Sequence, residues 1–76
     1  MSGSDDVEAA VTAAFGAAFP DARLSGESDF YALGGDSIQA LEISRHLEAT
    51  LGRDVHPSLL LHHPSVAELT AALAGA

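Results

Sequence analysis

Gly34-Gly35-Asp36-Ser37-Ile38 stands between a polar connection and an amphipathic run that extends from Gln39 to Leu51. The two glycines end the connection, and Ser37 lies where the run predicts that a helix begins. A serine at a helix start has its hydroxyl beside unsatisfied N–H groups and the positive end of the helix dipole, which favour an attached phosphate. The sequence supplies no obvious base for Ser37. The pattern therefore predicts a serine that is modified rather than one that attacks a substrate.

The length of 76 residues predicts one small domain over residues 1–76. Three arginines, no lysine and eleven acidic residues give a formal charge of −8. This charge disfavours binding to nucleic acid and anionic membranes and favours binding to basic protein surfaces, although plain solubility is an alternative reason for it.

The chain has no cysteine, so thiol chemistry would require a cofactor. Because the N-terminus is also unlike a signal peptide, we expect a cytoplasmic protein.

Apolar residues at helical spacing predict a first helix that Pro20 ends, with Ser4 as a candidate N-cap. Its stripe comprises Val7, Val11, Ala14, Phe15, Ala18 and Phe19. The connection from residue 21 to residue 35 is long, and such loops are usually functional or packed by their own side chains. We expect Phe30 and Leu33 to hold this loop on the core and Tyr31 to be more exposed.

The second predicted helix runs from Asp36 to Leu51 and ends at Gly52. One apolar stripe is assigned to the core and comprises Ala40, Ile43, Leu47 and Leu51. Ile38 and Leu41 lie away from that stripe, on the side of Ser37, and form a candidate docking patch for partner proteins, with Asp36 and Glu42 adding charge. In the alternative interpretation, Ile38 and Leu41 pack under the long loop.

The remaining sequence predicts one short and one longer helix and no convincing strand. Residues 57–62 form a short helix with proline at its first position. Ser65 and Glu68 form a capping box for a last helix over residues 66–74. The expected fold is therefore all-α: a small four-helix bundle with three main helices, one short helix and a long first loop. Short connections favour antiparallel pairing of the second and last helices.

Hydrolase and metal chemistry fit the sequence poorly. Gly35-Asp36-Ser37-Ile38 is similar to the nucleophile block of GDS(L) esterases, but those enzymes need an α/β/α sandwich and a downstream histidine as base. This chain is too short, lacks strands and contains no Asp-x-x-His pair. Its four histidines lack cysteine partners and zinc-site spacing, so we expect no metal site.

Leu33-Gly34-Gly35-Asp36-Ser37-Ile38 resembles the carrier-protein signature Leu/Met-Gly-Gly-His/Asp-Ser-Leu/Ile. The type is that of peptidyl carrier (thiolation) domains of nonribosomal peptide synthetases. Residues 29–33 resemble the Asp-Phe-Phe-x-Leu lead-in of that family, and Gln39-Ala40-Leu41 with Leu47 resembles its second helix. Residues 61–69 resemble its Phe-x-x-Pro-Thr-Val/Ile ending. The likeness covers nearly the whole chain, from the first helix to Leu73.

The resemblance implies a four-helix carrier fold in which Ser37 receives 4′-phosphopantetheine from coenzyme A through a phosphopantetheinyl transferase. The thiol of this cofactor would hold aminoacyl or peptidyl groups as thioesters for adenylation, condensation or other acyl-handling enzymes. The chain itself would be a monomer and not an enzyme, and it would bind neither nucleic acid nor membrane.

Two alternatives stay open at this point. Asp36 replaces the histidine that is frequent in elongation-type peptidyl carriers, and acyl carriers of fatty-acid and polyketide pathways share the aspartate. The cargo could therefore be another acyl group. An unmodified helical adaptor domain would explain the acidic charge and the patch of Ile38 and Leu41, but it gives no reason for a serine behind two glycines.

Overall fold

The computed structural model describes the backbone of residues 3–75 and the side chains of residues 5–75. Its four helices are α1 (Gly3–Ala18), α2 (Ser37–Leu51), α3 (Pro57–His62) and α4 (Val66–Gly75). Within residues 3–75 there is no strand, and one isolated antiparallel bridge joins Asp29 to Ser65. The predicted all-α fold with three main helices, one short helix and a long first loop is confirmed. Over the same residues, no helix combines the length and apolarity needed to cross a bilayer.

The predicted helix ends agree closely with the structure, because short-range chemistry sets most of them. Gly52 closes α2 with a φ of 68°, the left-handed conformation that favours glycine. Proline occupies the first turn of α3. Because α1 begins at Gly3, Ser4 lies within the helix and not at its N-cap, and its side chain lies outside the described part of the chain.

The centre of the fold is α1, which packs against both α2 and α4. Within residues 3–75, α2 and α4 make no close backbone approach to each other, so the predicted direct pairing of these helices is wrong. The reason is the width of the buried face of α1: Ala10, Val11 and Phe15 are buried and span an arc of about 140° at 100° per residue. That arc is wide enough for both α2 and α4 to pack against α1. The short helix α3 contacts both α2 and α4.

The core matches the predicted stripes. Ile43 and Leu47 of α2, Phe15 of α1 and Leu69 of α4 are fully buried, each with 0% exposure. The long first loop adds Phe30, which is 1% exposed and whose ring packs edge-on against Phe19, with 6.0 Å between ring centroids. Leu33 packs against the same core and Tyr31 is 55% exposed, so all three loop predictions are confirmed.

The first loop is also bonded to the beginning of α4. The N–H of Phe30 donates to the carbonyl of Pro64 at 2.7 Å. In return, Val66 donates its N–H to Ser28 O and Ala67 donates to Gly26 O, both at 2.9 Å. The loop is thereby fixed at one end of the bundle, between the start of α4 and the start of α2.

Candidate functional site

The two glycines before Ser37 have separate structural causes. Gly34 has a φ of 83°, which L side chains rarely adopt. At Gly35, a Cβ atom would lie 2.4 Å from the ring of Phe30, so only glycine fits without a shift of this core ring. From the sequence, the glycines were expected only to end the connection before Ser37. An aromatic residue five positions upstream is the signal that could have indicated the contact.

Hydrogen bonds within the loop hold Gly35 against Phe30. Gly35 N–H donates to Phe30 O and Leu33 N–H donates to Asp29 O, both at 2.9 Å. The Asp29 carboxylate accepts from the N–H groups of Tyr31 and Ala32 at 2.9 and 3.1 Å. The approach to α2 is thus a set of tight turns, and this fixes the direction in which the chain enters the helix.

Asp36 is the N-cap of α2. Its Oδ1 accepts from the N–H of Gln39 at 2.8 Å, and Gln39 Oε1 accepts from the N–H of Asp36 at 3.2 Å. Gln39 Nε2 also donates to the carbonyl of Ala18 at 3.2 Å, which joins the start of α2 to the end of α1. Sequence reasoning missed this role of Gln39, although Asp-x-x-Gln before an apolar run is a capping-box pattern.

Ser37 is the first residue of α2 and is exposed. Its hydroxyl forms no hydrogen bond with any residue in the described range 5–75, so no base contacts it there. In the same range, the N–H groups of Ser37 and Ile38 have no acceptor, whereas those of Gln39 and Ala40 bond to Asp36. An exposed hydroxyl beside two open N–H groups at a positive helix end fits a phosphate ester.

The other predicted site residues lie around the first two turns of α2. Ile38 is 68% exposed and Leu41 is 43% exposed, so the alternative in which they pack under the loop is wrong. Asp36 and Glu42 are exposed too. Glu42, however, lines a groove between α1 and α2 together with Ala14, Ala17, Ala18 and His46. It therefore lies at the α1 edge of the exposed face, beside the patch of Ile38 and Leu41.

A second pair of exposed apolar side chains lies on the first loop and α3. Tyr31 and Leu61 are 55% and 42% exposed, and the Tyr31 hydroxyl donates to the carbonyl of Leu61 at 3.2 Å. This bond joins the loop before Ser37 to α3. No group of three or more potential metal ligands exists among the residues described.

A family model described as "phosphopantetheine attachment site" matches residues 5–73 of the chain. Two solved structures have the same fold. BlmI, a type-II acyl carrier protein from Streptomyces verticillus involved in bleomycin biosynthesis, superimposes with a TM-score of 0.84 at 26% identity, over 92% of this chain and 84% of BlmI. A nonribosomal PCP domain gives a TM-score of 0.76 at 30% identity, over 87% and 84% of the two chains.

Two much longer proteins match parts of the sequence. The non-reducing polyketide synthase nscA of Arthroderma otae is 40% identical over 63% of this chain and 3% of the synthase. The N-(5-amino-5-carboxypentanoyl)-L-cysteinyl-D-valine synthase of Amycolatopsis lactamdurans is 34% identical over 82% of this chain and 2% of the synthase. The chain therefore spans only a small fraction of the length of these relatives.

Proposed function

Because the chain belongs to the family of phosphopantetheine attachment-site domains, we propose that Ser37 is the residue that receives the 4′-phosphopantetheine arm. The chain is a carrier protein, as its sequence predicted. The covalent cofactor of its family is 4′-phosphopantetheine. One observation carries the assignment to Ser37: its exposed hydroxyl adjoins two N–H groups that have no acceptor within residues 5–75.

Attachment forms a bond between Ser37 Oγ and the phosphorus next to the pantetheine half of coenzyme A. The P–O bond within the diphosphate breaks, adenosine bisphosphate leaves, and the serine proton passes to a base on the transferase. Gly35 lets the loop pack closely on Phe30, and Asp36 with Gln39 holds the first turn of α2 in place. The open N–H groups of Ser37 and Ile38 stabilise the anionic phosphodiester. The chain has no cysteine, so the terminal thiol of the arm is the group that would form the thioester.

Carrier domains are generally not catalytic, and we infer that this chain catalyses no step itself. The isolation of the Ser37 hydroxyl from any base in residues 5–75 supports this inference. Its partners are then a phosphopantetheinyl transferase and the adenylation, condensation or other acyl-handling enzymes that load and unload the arm. These partners dock on Ile38 and Leu41, with Asp36 and Glu42 at the margin. We further propose a monomeric, cytoplasmic carrier domain over residues 1–76.

We propose an aminoacyl or peptidyl cargo. The 30% identity to a nonribosomal PCP domain supports it, as does the synthase of A. lactamdurans, whose name describes linked amino acids and whose match covers 82% of this chain. A polyketide-type acyl cargo is the second candidate, and the 40% identity to a polyketide synthase favours it over a shorter stretch.

The attachment is tested by incubating the chain with coenzyme A and a broad-specificity phosphopantetheinyl transferase. Intact mass spectrometry should show one added phosphopantetheine on the unaltered chain and on Ser65→Ala, and none on Ser37→Ala. Modification of Ser37→Ala would refute the site. A wild-type chain without added mass would instead fit the unmodified adaptor.

The cargo is tested on the modified protein. The modified protein is incubated with adenylation enzymes and their amino acids and, in a separate reaction, with malonyl-type acyltransferases. Thioester formation is measured by intact mass spectrometry. Loading by adenylation enzymes supports the peptidyl assignment. Efficient loading by acyltransferases alone would replace it with the polyketide assignment and leave the carrier function intact.

A further inference from the structure

Arg45 extends the exposed apolar patch of α2. Ile38, Leu41 and Arg45 are spaced i, i+3 and i+7, so they lie along one stripe of the helix. All three are exposed. The stripe thus passes from two apolar side chains to a guanidinium group, on a chain whose formal charge is −8.

The acidic residues nearest to Arg45 on α2 do not pair with it. Glu48, one turn later, accepts the N–H of Val55 at 3.0 Å with its Oε2. Glu42, one turn earlier, lines the groove between α1 and α2. No ion pair of Arg45 occurs within residues 5–75. Its guanidinium is therefore available to a carboxylate on another molecule, which it can hold in a bidentate pair.

An enzyme that acts on the Ser37 hydroxyl has an interface large enough to reach Arg45. The two residues are eight positions apart on α2, which is about 12 Å along the helix axis at 1.5 Å per residue. A standard interface covers about 800 Å² on each partner, equivalent to a disc with a radius of about 16 Å. A loading enzyme can act at the far end of the arm, whereas the enzyme that attaches the arm must reach Ser37 itself.

Resting on the attachment at Ser37, we propose that Arg45 is a specificity-determining residue for the phosphopantetheinyl transferase, and that this transferase presents a carboxylate to it. The net charge alone favours a basic partner surface. The local order of charge along α2 is more specific, because Asp36 and Glu42 suit basic groups and Arg45 suits an acidic one. Such alternating signs fix the register of two docked surfaces and exclude partners with a uniformly basic face.

The test uses two phosphopantetheinyl transferases of known structure, one with an acidic and one with a basic rim beside the pocket that receives the carrier. For each enzyme, kcat/KM toward the carrier is measured by intact mass at saturating coenzyme A. The substrates are the wild-type chain, Arg45→Glu, Arg45→Lys and the control Arg23→Glu. Arg23 is exposed on the first loop, and its substitution changes the net charge equally.

We expect Arg45→Glu to reduce the ratio of kcat/KM for the acidic-rim enzyme to that for the basic-rim enzyme about tenfold relative to Arg23→Glu. Arg45→Lys should lower the ratio by no more than about threefold, since it retains the charge but loses the bidentate geometry. Equal ratios for Arg45→Glu and Arg23→Glu would overturn the proposal. In a separate titration of coenzyme A, an effect of Arg45→Glu confined to the KM for coenzyme A would also overturn it, because the guanidinium would then bind the coenzyme. If neither enzyme modifies even the wild-type chain, the attachment itself fails.

Discussion

The first turns of α2 and α4 have the same capping pattern but differ in the hydrogen bonds that their first N–H groups make. Each has a capping box: Asp36 with Gln39 at α2, and Ser65 with Glu68 at α4. At α4, the first loop supplies carbonyl acceptors for the N–H groups of the first two residues. At α2, the corresponding N–H groups have no acceptor within residues 5–75.

This difference shows that a local sequence pattern does not by itself make an anion site. The two capping boxes would look equally suited to a phosphate if only the helix starts were considered. The antiparallel bridge between Asp29 and Ser65 brings the carbonyls of the loop to α4 and closes that end. The loop provides no such acceptors at the start of α2, where Ser37 is exposed, and we place the attachment there.

The largest expected effect comes from removing the packing that both helix starts depend on. Leu47 is fully buried in the core, so Leu47→Ala should lower the free energy of unfolding by about 2–5 kcal/mol. Leu41→Ala removes the same atoms from a side chain that is 43% exposed and should change stability much less. Urea unfolding measures both variants. Similar losses would show that the docking patch belongs to the core.

The glycines next to the two helix starts should respond differently to a methyl group. Gly35→Ala forces the Cβ against Phe30 and should cost about 1–3 kcal/mol of stability. Gly26, whose carbonyl caps α4, is the matched control: a Cβ there would lie 3.9 Å from Ala67, which is ordinary contact. Gly26→Ala should change stability by no more than about 0.5–1 kcal/mol. Thermal melts of the two variants that coincide would contradict the described loop conformation.

The two caps should contribute equally to stability and unequally to function. Asp36→Ala and Ser65→Ala each remove an N-cap and should cost about 1 kcal/mol. Only Asp36→Ala should slow modification by the transferase. Asp36→Asn separates the two roles of Asp36, since it keeps a capping oxygen and removes the charge. Unchanged modification of Asp36→Asn, measured by intact mass, would remove Asp36 from the docking residues.

A measurement without any substitution compares the amides directly. The N–H groups of Val66 and Ala67 are bonded to loop carbonyls and should be protected from hydrogen exchange. Those of Ser37 and Ile38 should exchange close to the rate of an unstructured chain. Residue-resolved exchange by NMR decides this, and equal protection at the two helix starts would contradict the comparison.

Sequence reasoning succeeded where periodicity and short-range chemistry decide the structure. It placed α2, α3 and α4 nearly to the residue, and it separated the core stripe from the exposed Ile38 and Leu41. The Asp36–Gln39 capping box was equally readable from spacing but was overlooked. The central position of α1 and the loop carbonyls on α4 depend on contacts between distant segments. No local pattern reports such long-range contacts. The contact between Gly35 and Phe30 spans only five residues and was overlooked, like the capping box.

The central claim is that the arm is attached at the open helix start and not at the closed one. After complete modification of the wild-type chain by a broad-specificity phosphopantetheinyl transferase, tandem mass spectrometry of proteolytic peptides locates the added group. We predict that all of it lies on Ser37 and none on Ser65, which begins the other capped helix. Label on Ser65, or on any serine other than Ser37, would contradict the account.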